Sequence, residues 1–121
     1  MLTLMMAGSL MLTACAYEDS RSSVREPKSV PPTEQASAQA AKAVVTATKL
    51  TGKPEVSELR RAAVSAPADW LVCLRSNVPP FQPYALFLNG NELRYFRLAV
   101  LYDDCAREMY MPVIDPSAPL Q

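Results

Sequence analysis

The sequence predicts a small α+β domain in which one N-terminal helix packs on an antiparallel sheet of three to four strands. Two patterns predict it. An alanine-rich run, Ala36 to Ala47, lies between residues that start and stop helices. Further along, two apolar, strand-forming stretches meet at Asn89-Gly90, a dipeptide that strongly favours a tight hairpin. A helix and a sheet, each apolar on one side, bury those sides by stacking as two layers.

The helix is expected over Thr33 to Leu50. Thr33 follows Pro31-Pro32 and supplies an N-cap hydroxyl, and Glu34 complements the positive end of the helix dipole. Lys49 sits near the end, Gly52 is expected at the left-handed position just beyond it, and Pro54 closes the segment. Ala36, Ala40, Ala43, Ala47 and Leu50 recur at spacings of three and four, which predicts that they form the buried face. Such a helix either covers the sheet or meets a partner. Pro54 to Ala68 reads as an irregular connector, with a helical turn at Ser57 to Ala63.

The first strand is expected over Asp69 to Ser76. Trp70, Val72 and Leu74 share one of its faces, and Leu71, Cys73 and Arg75 share the other. Pro79, Pro80 and Pro83 lack the N–H groups a ladder needs, so Asn77 to Pro83 is a loop. Tyr84 to Leu88 and Asn91 to about Leu101 form the hairpin arms. A two-residue Asn89-Gly90 turn sets Leu86 opposite Leu93 and Tyr84 opposite Tyr95. Phe87, Arg94 and Phe96 then share the other face. Asp103-Asp104 ends the run, Arg107 to Val113 forms a short fourth strand, and residues 114–121 form a flexible tail.

Met1 to Tyr17 carries no charge and is mostly apolar as far as Leu12. A short apolar run ending in small residues has the pattern of a secretory signal, and it falls short of the roughly 20 residues of a spanning helix. No Lys or Arg precedes the run, which predicts a start further upstream with a basic leader. Leu12-Thr13-Ala14-Cys15 resembles the lipobox of bacterial lipoproteins, and the resemblance covers these four residues. It implies removal of residues 1–14, diacylation of the Cys15 thiol and acylation of the new amino group. The protein would then be anchored in a bacterial cell envelope, facing the periplasm. Ala16 after Cys15, in place of an aspartate, implies the outer membrane. Ala14-Cys15-Ala16 also fits an ordinary signal-peptidase site, and an uncleaved short anchor is a third reading.

The lipobox resemblance also bears on the other sulfurs. The chain has three cysteines. With Cys15 acylated, Cys73 and Cys105 are an even pair, which an oxidising periplasm joins in one disulfide. By chain entropy that bond contributes about 3.5 kcal/mol. Two free buried thiols are the alternative. Residues 15–32 then form the lipidated cysteine and a disordered tether, polar and broken by Pro27, Pro31 and Pro32. Residues 33–113 form the folded domain.

Lysine plus arginine equals aspartate plus glutamate, 12 against 12, so no basic footprint for nucleic acid exists. The chain has no histidine, which excludes histidine-based nucleophile pairs and histidine metal sites. Three glycines against 11 prolines speak against a phosphate-binding loop. Asp103, Asp104 and Glu108 lack the alternating oxygens of a calcium loop, so they read as a solvated turn, with no metal and no cofactor expected. Arg94 and Arg97 lie on opposite strand faces, where one is expected to join Asp103, Asp104 or Asp69 in a surface pair. Ser76 has no recognisable base. Trp70, Phe81, Tyr84 and Tyr95 are the candidates for a ligand or partner surface, or else they fill the core. The sequence thus predicts a noncatalytic, lipid-anchored envelope protein that serves an assembly through an envelope protein partner. A module binding a small ligand or lipid in an aromatic pocket is the alternative.

Overall fold

The computed structural model describes residues 26–113; the expected signal, the lipobox-like segment with Cys15 and the expected C-terminal tail lie outside the described residues. Helix α1 spans Glu34–Thr48. The Thr33 hydroxyl accepts the Ala36 N–H at 3.1 Å, as an N-cap should, and the Thr33 N–H donates to Asn91 Oδ1 at 2.9 Å. The helix does not stop at a glycine. Lys49 itself takes the left-handed conformation, with φ of 54°. Gly52, with φ of 76°, shapes the turn that follows, where a Cβ would lie 2.6 Å from Ser76 Oγ. The buried residues are Ala36, Ala38, Ala40, Ala41 and Val44, whereas Ala43 and Ala47 are exposed. In a run with so many alanines, spacing alone cannot choose the face; Val44 is fully buried, and its neighbour Val45 is only half-buried.

The sheet has six antiparallel strands where three to four were expected. They are β1 (Pro54–Ser57), β2 (Arg60–Arg61), β3 (Trp70–Ser76), β4 (Tyr84–Asn89), β5 (Glu92–Leu98) and β6 (Tyr110–Pro112). Their order is β5-β4-β3-β1-β6, with β2 also pairing β3. The two additional strands come from the expected connector and helical turn. β1 and β2 run one after the other along β3, pairing Val56 with Leu74 and Arg60 with Leu71. One residue too many separates them for a continuous ladder, so the chain bulges at 57–59. The buried Ser57 hydroxyl fills the gap, accepting the Cys73 N–H at 2.8 Å and donating to Glu58 C=O at 3.2 Å.

The β4–β5 hairpin differs from its expected register. Asn89 pairs with Glu92 and Leu88 with Leu93, so the turn is Gly90-Asn91. A bulge then shifts the pairing, giving Phe87 opposite Tyr95 and Leu86 opposite Phe96. Leu93 and Phe96, three residues apart, therefore both face α1, and Tyr95 moves to the opposite side beside Phe87.

The central strand divides the apolar residues as its alternation predicts. Trp70, Val72 and Leu74 pack with Ala40, Ala41, Val44, Leu86 and Leu88 beneath α1. Leu71 and Cys73 pack on the other face with Ala62, Ala68, Ala85, Phe87 and Cys105. The expected tether also proves to be partly seated. Oδ2 of the buried Asp69 accepts the Lys28 N–H at 3.0 Å, the Ser29 N–H at 2.9 Å and the Ser29 hydroxyl at 2.7 Å. The Trp70 indole N–H donates to Ser29 C=O at 3.2 Å, and Pro32 is buried. Polar composition predicts disorder for this stretch, but a carboxyl oxygen buried in the fold holds its end in place through three hydrogen bonds.

Candidate functional site

Two places combine geometry with chemistry. The first is built around the disulfide. Cys73 on β3 and Cys105, in the 3₁₀ turn Cys105–Arg107, are bonded, with Cα atoms 5.6 Å apart. The bond clips the segment after β5 onto the face opposite α1. Arg60 reinforces it: its Nη2 donates to Asp103 C=O and lies 3.6 Å from Cys73 Sγ, and its Nε pairs with Glu108 Oε1 at 2.8 Å. The Tyr110 hydroxyl donates to Cys105 C=O at 2.7 Å. Burial pushes the Tyr110 phenol above its ordinary pKa, against the opposing pull of Arg75, whose guanidinium lies 4.0 Å from the ring centre.

Asp103 is not the solvated turn residue its sequence context suggests. It is only 4% exposed. Its carboxylate accepts Arg97 Nη2 at 2.9 Å, Arg97 Nε at 3.3 Å and the Val100 N–H at 3.0 Å. Hydrogen bonding to Asp103 raises the pKa of Arg97 above its ordinary value. Arg97 also sits over the Phe87 ring, 5.0 Å from its centre. The acidic cluster is thus divided among arginines: Glu108 goes to Arg60, Asp103 to Arg97, and Asp104 lies 3.9 Å from Arg107. Arg94 pairs with Glu92 at 2.9 Å. Each charge in the lock around the disulfide is matched locally, which makes it a rigid clasp. It holds Leu101 and Tyr102 outward, 97% and 88% exposed.

The second place lies along α1. Ala38, Lys42 and Val45, at i, i+4 and i+7, form one wall of a groove of about 510 Å³ whose far wall is Pro54, Pro112 and Val113. It adjoins a second groove of about 540 Å³ that continues past Val56, Met109 and Met111 towards Glu34 and Glu58.

The four aromatic candidates do not converge. Trp70 and Tyr84 pack on the α1 side, Trp70 within the buried core and Tyr84 at its margin. Tyr95 lies on the opposite side, its ring centre 6.3 Å from that of Phe87. Phe81 sits in the proline loop with φ of 56° and is 47% exposed. The β5 bulge is what separates Tyr84 from Tyr95, and no residue type in the sequence announces it. The Arg60–Glu108 pair was equally hidden, because it joins segments distant in the chain, whereas Arg97 does join Asp103, one of the partners expected for it, though in a buried pair and not a surface one. Among the described residues, no group of three or more His, Cys, Asp or Glu side chains is placed to hold a metal ion. No helix among them is long and apolar enough to cross a membrane. No family model, no curated protein and no solved structure matches the chain.

Proposed function

We propose that the chain is a noncatalytic protein anchored by lipid on Cys15 in a bacterial envelope, facing the periplasm from the outer membrane. There it serves as an accessory or interaction component of an envelope assembly. The observation that carries this reading is the division of the three cysteines. Two are bonded and buried in the fold, and the third stands in the lipobox-like Leu12-Thr13-Ala14-Cys15. A structural disulfide is at home in an oxidising compartment, and acylation accounts for the third, odd cysteine of an exported chain.

The anchor and the fold are then joined at a defined point. Seating of Lys28 and Ser29 on Asp69 fixes where the chain leaves the domain, and the run from Cys15 to Lys28 reaches at most about 45 Å from the bilayer. The contact offered to a partner is Leu101 and Tyr102, exposed apolar side chains that the disulfide and the Arg97–Asp103 pair hold in place. A photo-crosslinking residue in place of Tyr102, in cells making the full chain, should give one discrete envelope-protein adduct. Leu101→Ser should weaken that adduct, and Cys15→Ser should abolish it. Absence of any adduct, or an adduct unchanged by both variants, contradicts the reading.

A further inference from the structure

The groove beside α1 sets two lysines against an apolar wall. Lys42 and Lys53 stand on its rim, and neither has an ion-pair partner among the described residues. The depression on the opposite face is lined by arginines and acids together: Glu108 and Asp103 engage Arg60 and Arg97, and Asp103 and Asp104 share the lining with Arg61. Between the lysines, the groove wall is apolar: Ala38, Val45, Pro54, Pro112 and Val113. Its volume of about 510 Å³ falls within the range of small-ligand sites, roughly 300–1,000 Å³.

An added strand does not fit this place. The Val113 N–H already bonds inward to Pro54 C=O at 3.2 Å, so the residues of β6 facing outward are Tyr110 and Pro112. Pro112 has no N–H to offer, which blunts the edge against pairing. What remains is an apolar trough with cations at one end and Glu34 and Glu58 at the other. That polarity suits one kind of occupant, with a negative head at Lys42 and Lys53 and an uncharged, flexible chain running towards Met109 and Met111. The exposed methionines are soft enough to accept such a chain in more than one conformation.

We infer that this groove binds an anionic amphiphile with a single acyl chain in the trough. Its carboxylate or phosphate is held by Lys42 and Lys53. The inference rests on the groove and is independent of the anchor on Cys15.

The test uses the full mature chain carrying Cys15→Ser, so that no acyl chain of its own competes, titrated with sodium laurate below its micelle concentration. Amide NMR shifts should saturate at Ala38, Val45 and Val113. Dodecanol, with the same chain and no charge, should bind about tenfold more weakly, as should laurate to the Lys42→Glu/Lys53→Glu variant. Both lysines are exposed, so that variant keeps its fold and its spectrum reports this directly. Vesicles of phosphatidylglycerol and of phosphatidylcholine distinguish the sources. Retention by the anionic vesicles alone, with the same residues broadened, assigns a membrane lipid, and response to dispersed laurate alone assigns a free acid. Absence of saturable shifts, shifts confined to other surfaces, or unchanged laurate affinity in the double variant overturns the inference. Binding seen only when the chain ends at Val113 also overturns it, because residues 114–121 would then be the occupant.

Discussion

Reducing the disulfide should cost this fold much of its stability. Cys73 and Cys105 are separated by 32 residues, and the loop they close contains all of β4 and β5. Fixing the ends of such a loop removes chain entropy from the unfolded state equivalent to about 3.5 kcal/mol at 25 °C. For a domain of this size each kcal/mol moves the melting temperature by about 4–8 °C, so reduction should lower it by about 15–25 °C. The near-ultraviolet circular dichroism of the core residue Trp70 follows the transition. Three samples separate the contributions: oxidised protein, the same protein in dithiothreitol, and Cys73→Ala/Cys105→Ala. Both sulfurs are buried, so serine substitutions would add the cost of burying hydroxyls, which alanine avoids. The reduced and double-alanine samples should melt together, well below the oxidised one. A difference under about 3 °C between oxidised and reduced protein would refute the argument that the crosslink stabilises this fold.

Two further perturbations address the clasp and the seat of the tether. Asp69→Ala removes the acceptor of three hydrogen bonds and should cost about 2–3 kcal/mol in urea unfolding. The same change should speed tryptic cleavage after Lys28 by an order of magnitude, whereas equal cleavage rates would mean that Asp69 does not hold this segment. The raised pKa of Tyr110 means that the folded state keeps the phenolic proton more tightly than the unfolded chain does. Stability from this group is therefore complete below the ordinary value of 10.0 and is lost as the pH rises through the higher folded value. Tyr110→Phe should flatten the decline in melting temperature above pH 10, and an unchanged slope would show that another group controls it.

The parts of this fold that were legible in the sequence are those that local chemistry determines. Thr33 capped its helix as its hydroxyl predicts, and β3 divided its side chains between two faces as its alternation requires. The pairing of Cys73 with Cys105 followed from compartment and parity. What stayed hidden depended on tertiary context. The alanines of α1 are too alike to mark the buried face, on which Val44 lies fully and Val45 only in part. β1 and β2 are short and polar, and they exist because β3 offers them a ladder, with Ser57 patching the interruption. The β5 bulge exchanged Tyr95 for Phe96 across the sheet, dispersing the aromatic site that regular alternation assembles. Asp103 looked like a turn residue because aspartate so often is one, and only the fold brings Arg97 and Arg60 to bury it.

The membrane-extracted mature protein offers the most direct measurement. Intact-mass and fragment spectra should show a chain beginning at Cys15 with acyl groups on its sulfur and amino nitrogen. In the same sample Cys73 and Cys105 should resist alkylation until reduced. A chain with an unmodified Cys15, or one whose other two thiols alkylate freely without reductant, contradicts the account.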